Sequence, residues 1–260
     1  MKRRKNNFMK NLKKILPKRS GRSNATGRVT VRHQGGRQKR YLREIDFKRN
    51  KLEIWGTVEG IEYDPNRNVD IARVCYSDGG RRYILSPLGL KVGNRVISSE
   101  SAPLELGNSL PMRVIPIGVQ VHNLEITKGK GGQMVKSAGS VAVVHGKEED
   151  YVLIKLPSGE IRRFDPSCFA TIGQLGNAEE RSKILRKAGR VRLMGIRPTV
   201  RGTAQNPGSH PHGGGEGRSG VGMKYPKTPY GKPAVGKTRK KKKYSDGLII
   251  KKRKPGKHSH

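Results

Sequence analysis

The chain has 260 residues, with 56 Lys and Arg against 20 Asp and Glu, and its formal charge of +36 makes a polyanion, nucleic acid first, the partner that composition implies. An apolar content of 32% and an aromatic content of 5% exclude a core running through the whole chain, so about half of it is left to fold around buried side chains. No apolar run reaches the span of about 18 residues that crossing a membrane needs, so a soluble protein is expected; Cys75 and Cys168 lie far apart, in runs that read as strand or strand edge, which favours reduced structural thiols over a disulfide framework.

The charge is unevenly placed. Residues 1–43 hold 16 Lys or Arg and no acid, residues 44–165 hold 17 against 16, and residues 166–260 hold 23 against 4. The part able to fold alone is therefore almost neutral, and the two ends carry the binding. The first twenty residues are basic and acid-free, as a transit peptide would be, but they contain little Ser or Ala and run directly into more basic sequence, which favours an arm. From Pro17 to Arg43, glycines among Lys and Arg give no helical face, and an extended arm is expected.

From about Leu52 the pattern changes to short alternating runs. LEIWGTVEGIEYD and VDIARVCYSDGGRRYILSP predict antiparallel strands broken at Asp64-Pro65-Asn66 and Asp78-Gly79-Gly80. Further strands are expected at Arg95–Ile97, Met112–Ile115, Val119–Leu124, Ser140–His145, Tyr151–Lys155 and Gly159–Arg163. That rhythm predicts small closed barrels. NAEERSKILRKAGR predicts one short helix near 178–188, with Asn177 as its cap, Glu179 and Glu180 at its start, and Gly189 as its stop. Residues 195–236 hold 11 Gly and 6 Pro in 42 positions, which forms no packed domain by itself.

Three segments carry chemistry. In RQKRYLREIDFKR, cations (Arg37, Lys39, Arg40, Arg43, Lys48, Arg49) flank Tyr41 and Phe47, so phosphates can be met while the aromatic rings anchor the arm on the core; the bland reading is a solvated basic tail. HNLEITKGKGGQMVKSAGS places Lys128, Lys130 and Lys136 about a glycine turn whose N–H groups can face an anion or make a plain tight turn; it lacks the Gly-Lys-Ser/Thr ending of a nucleotide-binding loop. GIRPTVRGTAQNPGSHPHGGGEGR is the densest feature. Three consecutive glycines carry a large ordering entropy, so an external partner such as folded RNA is expected to order Gly213, Gly214 and Gly215, with Arg197, Arg201 and Arg218 neutralising phosphate and His210 and His212 as hydrogen-bond or stacking partners. A zinc site would need a second ligand pair that the sequence does not place nearby, and no nucleophile motif partners either histidine, so no metal and no catalytic residue is expected.

The segments GRSNATGRVTVRHQGGRQKRYLREIDFKR, HNLEITKGKGGQMVKSAG, KAGRVRLMGIRPTVRGTAQNPGSHPHGGGEGR and GKTRKKKK resemble the universal large-subunit ribosomal protein number two family, in its bacterial or organellar form. The resemblance covers about Ser20 to Lys243, and HPHGGGEGR is its most specific part. It implies a mainly β fold with an OB-like barrel followed by an SH3-like barrel. The implied division is an N-terminal arm over 1–43, the OB-like barrel over 44–123, the SH3-like barrel with the short helix over 124–194, and an rRNA-binding extension over 195–260, to which Arg239 and Lys240 belong. It further implies a structural constituent of the large subunit, bound to its rRNA and to neighbouring ribosomal proteins, in a bacterial cytoplasmic or an organellar ribosome. Support of subunit association, tRNA binding and peptide-bond formation, contact with small-subunit rRNA at the interface, and no cofactor beyond magnesium held through rRNA complete the expectation. The family pattern has a longer segment where LKKILPKRS stands, Trp near Leu193 and Tyr230, and Asp where Ser209 precedes His210; without that carboxylate a base role for His210 is weaker still.

Two other classes make different demands. A free elongation factor would need only the near-neutral core and could dispense with its tails. A hydrolase or transferase would need His210 or His212 on a scaffold of its own. The uneven charge favours the ribosomal reading over both.

Overall fold

The computed structural model describes residues 12–217, 219–236, 238, 240 and 242–254. They divide into two compact units: residues 39–184 with 12–17 and 247–253 form the first, and 18–38 with the described residues of 185–246 and 254 form the second.

The first unit is mainly β. Strands β1 (Lys13–Ile15) and β2 (Tyr41–Arg43) pair antiparallel. A four-stranded sheet follows, built from β3 (Gly56–Glu62), β4 (Ile71–Tyr76), β5 (Arg81–Leu85) and β6 (Arg95–Val96) in the order β5-β4-β3-β6. Alternation in β4 places Ala72, Val74 and Tyr76 on one face, where Val58, Ile84, Leu90 and Val96 complete one apolar cluster. The expected turn at Asp78-Gly79-Gly80 closes the β4–β5 hairpin: Gly79 adopts φ +78, and the Asp78 carboxylate accepts from the Gly80 N–H at 3.0 Å. A register shift between Val58 and Gly60 marks a bulge in β3 around Glu59, whose carboxylate meets Arg73 at 3.0 Å and Arg81 at 2.9 Å.

The second sheet has seven strands in the order β13-β11-β10-β9-β8-β12-β7, formed by β7 (Ser109–Pro111), β8 (Gln120–His122), β9 (Ala142–Lys147), β10 (Val152–Lys155), β11 (Ile161–Phe164), β12 (Phe169–Ile172) and β13 (Ile249–Lys251). Its cluster includes Leu110, Met112, Ile115, Leu124, Val144, Ile154, Cys168 and Ala170. This is the mainly β architecture expected of an OB-like barrel followed by an SH3-like one. Asn108, fully buried, joins the two sheets: its side chain accepts from the Ile97 N–H at 2.9 Å and donates to the Pro103 carbonyl at 3.0 Å.

Three local readings are corrected. Strands β7 and β8, assigned by sequence to the barrel over 44–123, are hydrogen-bonded through β12 into the second sheet, a pairing set by contacts some fifty residues away in the chain. Met112–Ile115 is a turn rather than a strand, because Pro111 and Pro116 remove ladder donors at both ends while Met112 and Ile115 still bury their side chains. The helical residues expected near 178–188 are split into a 3-10 turn (Ala178–Ser182), an extended Lys183 and an α-helix at Ala188–Leu193. Asn177 makes no side-chain cap; it sits at φ +60 and donates to the Asn68 carbonyl at 3.2 Å. Neither helical piece buries a side chain and Ile184 is 77% exposed, so nothing holds a three-turn helix together.

The second unit is built differently. Among the described residues, every buried apolar side chain lies between Val58 and Leu175, and the second unit buries only Gly35, Arg37, Gly195 and His210. Its segments are joined through the main chain: Gly35 N–H to the Gly195 carbonyl at 2.8 Å, Arg197 N–H to the His33 carbonyl at 3.0 Å, and Gln38 N–H to the Leu193 carbonyl at 2.9 Å.

Candidate nucleic-acid interface

The second unit carries 24 Lys and Arg and only two acids, Glu216 and Asp246. Two acids leave most of that charge unbalanced within the unit. In the first unit the opposite holds: Glu62 binds Lys13 at 3.1 Å, Arg73 at 2.6 Å and the Tyr83 hydroxyl at 3.0 Å, and Asp46 holds Arg82 at 2.7 Å. Arg81 foremost, with Arg73, keeps the Glu59 carboxyl below its usual range, and burial followed by the Glu62 bond pushes the Tyr83 phenol up to about 12.

The residues expected on RNA fall into three groups. Lys39, Lys48, Lys128, Lys130, Arg197, Arg201 and Lys240 are exposed. Others are engaged by protein. Arg49 is buried at 3%, and both its terminal nitrogens donate to the Gly107 carbonyl at 3.2 Å; Arg37 is buried beside Gly195, and Arg40 donates to the Pro65 carbonyl at 2.6 Å. Arg43 lies 3.6 Å from the buried Asp64. Lys136 stands 4.3 Å over the Phe47 ring, with Arg67 5.6 Å from that ring, and burial together with Arg67 lowers its ammonium pKa. Arg218 and Arg239 lie outside the described residues.

Of the two expected anchors, Phe47 packs with Ile45 against Val69, Leu85 and Leu175, while Tyr41 stays 46% exposed. Phe47 alone is an apolar anchor.

The glycine turn at 127–132 does hold an anion, but the anion belongs to the protein. Glu125, buried at 3%, accepts from the Gly131 N–H at 2.8 Å, the Gly129 N–H at 3.4 Å and the Phe169 N–H at 3.1 Å, and the Gly132 N–H goes to the Phe47 carbonyl at 2.8 Å. The turn's N–H groups are thus taken, leaving the exposed ammonium groups of Lys128 and Lys130 to face outward. An acid flanking a glycine run was the available sequence signal.

The histidine–glycine loop is also ordered from within. A Cβ on Gly213 would stand 2.3 Å from the Asn206 carbonyl oxygen, and one on Gly214, at φ +94, 2.9 Å from the Pro207 ring. The Gly213 N–H reaches the His210 carbonyl at 2.9 Å and the Gly214 N–H the Gln205 carbonyl at 3.3 Å. The expectation that only an external partner orders these glycines is therefore corrected: Asn206 and Pro207, a few residues upstream, already demand the missing Cβ atoms. His210 lies against Gly202, where a Cβ would be 2.5 Å from its ring, and its Nδ1 accepts from the His212 N–H at 3.0 Å. His212 Nε2 accepts from the Lys227 N–H at 2.8 Å, and the two rings stand 4.6 Å apart. Burial, then His212 and Arg32, push the His210 imidazole below the ordinary histidine range. Ser209 is exposed, and no acid approaches either ring among the described residues.

Two buried groups complete the chemistry. His122 is wholly enclosed, with Nδ1 2.8 Å from the Gly173 carbonyl, and burial drives its pKa down to about 4, so it is a neutral core residue. The Cys168 thiol, pushed up to about 12 by burial, is inert.

Two family models match the chain: "Ribosomal Proteins L2, RNA binding N-terminal domain" over residues 9–98, and "Ribosomal Proteins L2, C-terminal domain" over residues 105–231. The junction between them coincides with the chain's passage from β6 to β7, from one sheet to the other. With an RNA-binding first domain, two β sheets and a second unit of almost unopposed positive charge, the chain belongs to the ribosomal protein L2 family, the RNA-binding structural proteins of the large ribosomal subunit.

Proposed function

We propose that this chain is a primary rRNA binder of the large subunit that supports subunit association, tRNA binding and peptide-bond formation at a centre made of RNA, without acting as the catalyst. The observation that carries the reading is the second unit: 24 cations against two acids, and no buried apolar side chain among its described residues. Such a unit is held by main-chain hydrogen bonds and takes its charge balance from a polyanion. Lys39, Lys48, Lys128, Lys130, Arg197, Arg201 and Lys240 are the exposed cations assigned to phosphate, with Arg218 and Arg239 from the sequence pattern. Magnesium bridging through rRNA and contact with small-subunit rRNA belong to the same proposal. Against catalysis by His210, its Nδ1 lone pair is engaged by a main-chain N–H and no carboxylate among the described residues orients the ring.

Sedimentation of large subunits through gradients of rising salt tests it. The chain is expected to stay with the large subunit at moderate salt, and its affinity for free rRNA to fall steeply as salt rises, since each neutralised phosphate releases counterions. Recovery in the soluble fraction at moderate salt would sink the reading.

A further inference from the structure

Within the second unit lies a cleft that none of the assignments above uses. Its volume is about 330 Å³, at the small end of ligand pockets of roughly 300–1,000 Å³. One wall is the hairpin over 21–31, which is closed on itself: the Thr30 and Val31 N–H groups reach the Gly21 carbonyl at 2.8 and 3.0 Å, and the Ser23 N–H reaches the Arg28 carbonyl at 2.8 Å. Gly21, at φ +70, is required there because its Cβ would stand 2.4 Å from the Val31 carbonyl oxygen. The floor is the main-chain pairing of His33 and Gly35 with Arg197 and Gly195. The cleft is therefore preformed by backbone hydrogen bonds and does not depend on side-chain packing.

Its lining is chemically selective. Arg22, Arg32 and Arg197 supply three guanidinium groups, His33 an imidazole and Val31 an apolar side chain, and no acid is among the lining residues. The Arg22 guanidinium donates to the Gly27 carbonyl at 2.9 Å and is fixed in the hairpin, whereas Arg32 and Arg197 have no side-chain hydrogen-bond acceptor among the described residues. Planar guanidinium forks match phosphate oxygens, and an imidazole or a guanidinium plane can stack on a base that has left its helix. A double helix cannot enter a space of this size; one nucleotide can.

We propose that this cleft captures a single unstacked nucleotide of the bound RNA, its phosphate between Arg32 and Arg197 and its base against Val31 and His33. The inference rests on the rRNA-binding reading and narrows it to one structural class of target, a bulged or looped-out residue. The test uses whole large subunits carrying the wild-type chain, an Arg32→Gln/Arg197→Gln chain or a Val31→Trp chain, chemically probed at single-nucleotide resolution. Val31 is 53% exposed, so Trp is tolerated by the fold and fills the cleft while leaving every cation in place. One isolated unpaired rRNA base should be protected by the wild-type chain and become about tenfold more reactive with either variant, in line with the loss of one stacked base, while neighbouring protections persist. A Val31→Trp footprint identical to the wild type would overturn nucleotide capture and leave a charge-only contact, with the rRNA-binding reading intact. Absence of the wild-type chain from large subunits would overturn that reading and this inference together.

Discussion

The two units of this chain solve the same problem, holding a polypeptide in one shape, with opposite means. The first pairs its cations with its own acids and buries apolar clusters; Glu59, Glu62, Asp46 and Asp64 hold Arg73, Arg81, Arg82, Arg67 and Lys13. The second has hardly any acids and, among its described residues, no apolar core, and relies on main-chain hydrogen bonds and on glycines placed where a Cβ would collide. Stability in the one resides in burial, and in the other in backbone fit completed by a partner. Mutations should therefore register on different instruments in the two units.

The largest effect is expected in the second unit. Changing Gly213, Gly214 and Gly215 together to Ala introduces three close contacts at roughly 1–3 kcal/mol each. Occupancy of the chain on large subunits, read by quantitative mass spectrometry, should fall by tenfold or more. Gly220→Ala, with nothing within 4 Å of its Cβ, and Lys240→Ala alone should stay within about twofold, the latter losing about one unit of salt slope. A fully occupied triple mutant would erase the claimed difference between the units.

Leu110→Ala should cost about 2–5 kcal/mol, seen as a lowered unfolding midpoint of the first unit, with salt-dependent rRNA affinity unchanged while the protein is folded. Next comes pH. The folded His122 titrates near 4 and the unfolded one near 6.5, so the unfolded state takes up a proton first as pH falls. Stability is complete above pH 6.5 and declines by about 3 kcal/mol between 6.5 and 4. The Glu59 contribution, from a depressed carboxyl, is lost only below its ordinary 4.5, so denaturant titrations of wild type and His122→Gln at pH 7 and 5 separate the two. If His122→Gln keeps the slope between those pH values, His122 is not its source. The smallest stability loss in the first unit belongs to Glu125→Ala, about 1–3 kcal/mol from stranding the Gly131 and Phe169 N–H groups, with Glu125→Gln recovering part.

Strands with alternation, such as β3, β4, β9 and β10, were legible because their period of two is a local property. The helix near 178–188 was misplaced because its apolar residues have nothing to pack on, which no window of sequence reveals. The glycine turn at 127–132 was read as a phosphate cradle or a plain tight turn; the anion its N–H groups hold is Glu125, two residues before the turn begins, a pairing that spacing alone did not single out. The cleft at Arg22, Arg32 and Arg197 was missed because its walls come from segments more than 160 residues apart.

By itself the sequence determined the partition of charge, the β character of the middle and the family-specific HPHGGGEGR loop, because each is a matter of residue type at local spacing. The tertiary structure alone decided which cations remain for RNA. Arg49 is consumed by a carbonyl 58 residues away, Arg40 by one 25 away, while Arg32 and Arg197 are left facing an open cleft. A guanidinium takes whichever acceptor folding brings within about 3 Å, and that distance is set by the path of the whole chain.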